Sequence, residues 1–123
     1  MKNDKIESIN LISDGTIVEG NIKCDNSIRI DGTIIGNITS QKKVIIGNNG
    51  KMLGHLNCLN ADIFGYFNGD IKITEILFLK DTANIQGDCH AKKLIVESGA
   101  IISGNFHIGD SNKLNDSKSK KSI

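Results

Sequence analysis

The chain has 123 residues, 38% of them hydrophobic and 4% aromatic, with 15 Lys and Arg against 14 Asp and Glu for a formal net charge of +1. That is one domain's worth of sequence with material for a thin core, and its charge balance argues against nucleic acid or an anionic membrane as the main partner. No apolar run approaches the roughly 20 residues of a membrane span, the polar opening MKNDKIESIN has no signal-peptide character, and three cysteines without paired spacing fit a reducing compartment, so the chain reads as soluble and cytoplasmic.

Residues 1–9 belong to no repeat and are expected to be flexible. From residue 10 to 109 one pattern recurs: apolar, any residue, Gly, polar, apolar. It stands as VEGNI at 18–22, IIGNI at 34–38, MLGHL at 52–56, FNGDI at 67–71, IQGDC at 85–89 and ISGNF at 102–106. The shared glycines are Gly20, Gly36, Gly54, Gly69, Gly87 and Gly104, separated by 16, 18, 15, 18 and 17 residues. Aligned on that glycine, the chain falls into columns. Two residues before it stand Val18, Ile34, Met52, Phe67, Ile85 and Ile102; two after it stand Ile22, Ile38, Leu56, Ile71, Cys89 and Phe106. Four after it come Cys24, Ser40, Cys58, Ile73, Ala91 and Ile108, and four before it only small residues such as Thr16, Gly32 and Ala83. Eight before it the alignment places Ile12, Ile28, Ile46, Ala61, Leu79 and Val96.

Such strict alternation means strands with one buried face. A period near 17 is too short for helix-pair repeats, and no segment carries a helical stripe. The expected architecture is all-β: a single-stranded parallel β-helix of about six coils, each with about three short strands, whose neighbours supply the burial that one coil lacks. Glycines on the inward face, as in IRIDGTIIGNI at 28–38, are then coil corners. Residues 110–123, DSNKLNDSKSKKSI, are Lys- and Ser-rich and expected to be a disordered tail.

Within this frame the chemical motifs lose force. GNNGKM at 47–52 has the wrong glycine spacing for a phosphate loop and Met52 where Ser or Thr should stand. His55 and Cys58 have opposite parity, as do Cys89 and His90, so neither pair shares a side of the wall. Cys24 and Cys58 lie two coils apart, too far for a disulfide. His90 and His107 share an outward column on adjacent coils and could stack, but no third metal ligand accompanies them. Asp70 and Asp88 fall in an always-polar column, which reads as a solvated wall rather than a carboxylate pair. Asn37-Ile38-Thr39 is a glycosylation sequon only in form. No catalytic residue, cofactor or metal is expected.

What remains is the ends. Inward at the last coil stand Ile102, Phe106 and Ile108; inward at the first stand Ile12, Val18 and Ile22. No amphipathic helix precedes the first coil or follows the last, and bare strand edges pair with other chains; the alternative is a tail folded back as a cap, for which the short Ile6–Ile9–Leu11 stretch is the candidate at the first coil. These six residues are the expected polymer interface, with self as the partner.

The segments ISDGTIVEGNI, IRIDGTIIGNI, KVIIGNNGKMLGHL and KKLIVESGAIISGNF, in that order, resemble the bactofilins, a family of bacterial cytoskeletal filament proteins, over roughly residues 12 to 107. The resemblance implies a right-handed, three-sided β-helix that polymerises end to end without nucleotide into filaments lacking polarity. It implies roles in cell shape and as a scaffold for cell-wall and other partner proteins, some membrane-associated, at the inner face of the cell membrane. Members of the family often bind membrane through an N-terminal segment; here that segment, MKNDKIESINLI, is polar and only faintly amphipathic, which leaves membrane binding open. Two other readings compete. A β-helix acyltransferase-like enzyme would show strict six-residue repeats and an appended helix, and the spacing here drifts. A monomeric or small-oligomer scaffold would have capped ends and an exposed apolar patch, and the polar outward residues Arg29, Thr33 and Asn37 suggest no such patch.

Overall fold

The computed structural model describes residues 9–109, so the expectations for residues 1–8 and 110–123 lie outside the described residues. Ile9, placed by sequence in the flexible segment, opens the first strand. The ten strands are β1 (Ile9–Ile12), β2 (Ile17–Cys24), β3 (Ser27–Ile30), β4 (Thr33–Ser40), β5 (Lys43–Ile46), β6 (Lys51–Cys58), β7 (Asn60–Ile63), β8 (Tyr66–Leu79), β9 (Asn84–Val96) and β10 (Ile101–Ile108). All pairings are parallel, and there is no helix among the described residues.

The register turns this order into a parallel β-helix of six coils. β1 pairs β3, β3 pairs β5 and β5 pairs β7; β2 pairs β4, β4 pairs β6 and β6 pairs β8. β8 and β9 each run through a corner and serve two coils, with a register shift between Ile73 and Ile76 in β8. Each coil is therefore one four-residue segment and one eight-residue segment, stacked on its neighbours at about 4.8 Å.

The repeating glycine is fourth in every eight-residue segment, inside the strand and not between strands. All six glycines take positive φ, from 129° to 148°, so the chain is re-aimed without interrupting the ladder and one segment spans two of the three sides. Gly54 shows why no other residue fits. Its φ is +141°, and a Cβ there would overlap the carbonyl oxygen of Gly36 in the coil below. The corners formed by turns obey a different constraint. At Gly32, in the tight connection between β3 and β4, a Cβ would strike the Thr16 and Ser13 carbonyls.

The drift in repeat length has a simple origin. Between the two segments of a coil the connection is two residues long at 31–32 and 64–65 and four at 13–16, 47–50, 80–83 and 97–100. The connection between coils is one or two residues. Counting eight back from the glycine therefore fails in the second and fourth coils. Ile12 stacks on Ile30, then Ile46, Ile63, Leu79 and Val96, whereas Ile28 and Ala61 belong to the neighbouring column with Val44 and Leu77. Both columns face inward, so the core assignment survives the correction.

The middle coils are sealed. Ile28, Ile30, Ile34, Ile38, Val44, Ile46, Met52, Leu56, Ile63, Phe67, Ile71, Leu77, Leu79 and Ile85 are all buried in one continuous core. Ser40 is the one buried polar side chain there; its hydroxyl donates to the Asn26 carbonyl (2.9 Å) and accepts from the Lys42 amide (3.1 Å). Such a pair of bonds removes the penalty of burying a hydroxyl.

Candidate assembly ends and the polar wall

A stack of coils satisfies its backbone groups only from both sides. Among the described residues, β1 pairs only β3 and β2 pairs only β4, while β10 pairs only β9. One edge of each terminal coil is therefore open, and its core residues pass from buried to part-exposed. At the first coil Ile12, Val18 and Ile22 are half-buried, packed on one side only. At the last coil Phe106 is half-buried, whereas Ile102 and Ile108 are 38% and 37% exposed. Their counterparts one coil inward, Ile85, Cys89 and Ala91, are covered. The six residues thus form two apolar slices, one at each end of the rod. Sequence reasoning missed the rest of the rim: Ile9, Leu11 and Ile17 at one end, Val96 and Ile101 at the other, are also exposed.

The walls correct one expectation. Arg29 shares an outward column with Leu11, Ile45, Asp62, Phe78 and Ile95, so polar Arg29 does not represent its wall. Ile76, Phe78 and Ile95 make an apolar patch on the last two coils, where the Lys80 ammonium lies 3.8 Å from the Phe78 ring centre.

A second wall is polar and ordered in columns. The position after the glycine stacks Asn21, Asn37, His55, Asp70, Asp88 and Asn105; two residues further on, Lys72, His90 and His107 stack. The His90 and His107 rings do lie face to face, with centres 4.5 Å apart and planes 18° from parallel. Asp70 and Asp88 are neighbours in one column, and each is engaged on the side away from the other: His55 Nδ1 lies 3.1 Å from Asp70, and Asn105 Nδ2 donates to Asp88 at 3.2 Å. Among the described residues no group of three His, Cys, Asp or Glu is placed to hold a metal, and no helix is long and apolar enough to cross a membrane.

The cysteines lie where parity put them, all reduced. Burial pushes the Cys58 and Cys89 thiols up to about 12; the carboxylates of Asp88 and Asp70 add to the effect at Cys89. A raised thiol pKa means the folded chain keeps protons that the unfolded chain releases, so stability should fall as pH climbs from about 9 towards 12. At pH 8, alkylation followed by mass spectrometry should label half-exposed Cys24 first and leave Cys58 and Cys89 unmodified until the rod unfolds.

The bactofilin family, described as polymer-forming cytoskeletal, matches residues 10–107. The chain belongs to the bactofilin family. It is 25% identical over 95 residues to the bactofilin BacO of Myxococcus xanthus, covering 77% of this chain and 75% of that one. To BacP of the same organism it is 24% identical over 100 residues, 81% of this chain but 42% of the relative. A crystal structure of a Phe-to-Arg mutant of the bactofilin from Thermus thermophilus has the same fold, with a TM-score of 0.70 at 24% identity over 73% of this chain and all of that one. The bactofilin domain and the six described coils thus coincide almost residue for residue.

Proposed function

We propose that the chain is a bacterial cytoskeletal subunit that joins end to end, without nucleotide, into non-polar filaments. In this reading it works in the cytoplasm, at or near the inner face of the membrane, as a structural scaffold for cell shape, cell-wall enzymes and other partners. The observation that carries it is the contrast between sealed middle coils and two open apolar slices around Ile12, Val18 and Ile22 and around Ile102, Phe106 and Ile108. Contact between such ends continues a core, which releases free energy in proportion to the apolar area covered and needs no hydrolysis to drive it. Negative-stain electron microscopy at micromolar concentration, with no nucleotide and no added metal, tests this. Filaments about one rod wide are expected; discrete particles at all concentrations would overturn end-to-end assembly.

The Ile76, Phe78 and Ile95 patch favours a second reading, in which the wall docks a partner protein. The two readings are compatible, because the patch lies on a side of the rod and leaves both ends free.

A further inference from the structure

The polar wall separates its charges by column. Asp70 and Asp88 are engaged by His55 and Asn105 along the rod and not across it by Lys72 or His90. Lys72, Lys92, His90 and His107 consequently form no ion pair among the described residues, although all four are exposed and close together. They line one groove of about 650 Å³ on the last three coils. Ile73, Ala91 and Thr74 are also among its lining residues, where Thr74 adds a hydroxyl and Glu75 is the one carboxylate.

Stacking matters as much as charge. Parallel ladders hold Lys72, His90 and His107 in one row, each over the next, and the two imidazoles present their edges side by side at the 4.5 Å ring spacing. Two ring N–H groups so placed can reach two oxygens of one tetrahedral anion, with Lys72 in the same row and Lys92 in the same groove supplying charge. A concave site lined by two cations suits a compact group of high charge. The groups facing the imidazoles are Asp88 and Lys92 on β9, Lys72, Asp70 and Glu75 on β8, and the neutral Asn105 on β10. Among the residues that line the groove itself, Lys72 and Lys92 outnumber Glu75, while Asp70 and Asp88 stand in the adjoining column, engaged by His55 and Asn105.

We propose that this groove binds a phosphate-class dianion, free or as a lipid headgroup, with Lys72 and Lys92 supplying charge and His90 and His107 hydrogen bonds. All of its lining residues belong to one subunit.

Isothermal titration calorimetry of the full chain with inorganic phosphate, against chloride at equal ionic strength, tests the site. Saturable binding of phosphate, and none of chloride, is expected. Both His90→Asn with His107→Asn and Lys72→Gln with Lys92→Gln should weaken it by about tenfold or more, and these exposed positions leave the core untouched. Sedimentation with vesicles of phosphatidic acid in phosphatidylcholine, against phosphatidylcholine alone, separates the sources. Vesicle binding lost in the same variants, without binding of free phosphate, would assign the site to a lipid headgroup. Binding unchanged in both variants, or absent with both probes, would overturn the site.

Discussion

Phe106→Arg should abolish filaments and leave the rod folded. Phe106 closes the inward column that begins at Ile22 and runs through Ile38, Leu56, Ile71 and Cys89, and it has a neighbour on one side only. In the free subunit an arginine there can lay its aliphatic stem on the core and keep its guanidinium in water. At a joint the same guanidinium is buried without a partner, at a cost of about 3–5 kcal/mol, which weakens association by roughly two to four powers of ten. Because a filament without polarity joins like ends, sedimentation velocity should show nothing larger than a dimer held through the Ile12, Val18 and Ile22 end, electron microscopy no filaments, and circular dichroism an unchanged β spectrum. Filaments of normal length in this variant would move the joint away from the Phe106 end.

Ile34→Asp should collapse the rod, and Thr33→Asp, one residue away, should not. Ile34 is fully buried between Val18 and Met52, so the substitution loses about 1.5–3 kcal/mol of burial and adds the cost of a carboxyl with no partner. The sum is a large share of the 5–15 kcal/mol that holds a typical domain together. Thr33 faces outward beside Lys51, where an aspartate meets solvent and a cation, and a change within about 0.5 kcal/mol is expected. Thermal melts in the Phe106→Arg background keep assembly from masking the difference. A melting temperature for Ile34→Asp within a few degrees of its parent would mean that the coils do not share one core.

Much of this was legible because a parallel stack turns sequence period into spatial columns. Val18 to Ile102 and Ile22 to Phe106 could be aligned by eye, since the glycine between them fixes both and the eight-residue segment never changes length. Ile28 and Ala61 could not, because a two-residue connection and a four-residue one are both compatible with alternating inward residues. The glycine at the centre of each segment looked like a corner between strands; that the ladder continues through it follows from its positive φ and the carbonyl beneath, neither of which leaves a mark on composition. Phe78 and Ile95 were overlooked on their wall because single outward residues such as Arg29 say little about a column of six. The apolar residues of the two end coils could be listed from their columns, but the engagement of Asp70 by His55 and of Asp88 by Asn105 depends on rotamers that parity does not specify.

The constancy of the eight-residue segment against the variable connections has a consequence for the size of the particle. Each coil adds one layer of about 4.8 Å whatever the length of its loops, so the subunit behaves as a ruler graduated in whole coils. Residues gained or lost in a connection widen or trim the perimeter without altering axial length. Only duplication or deletion of a complete coil would change the spacing between joints, and it would do so in discrete steps.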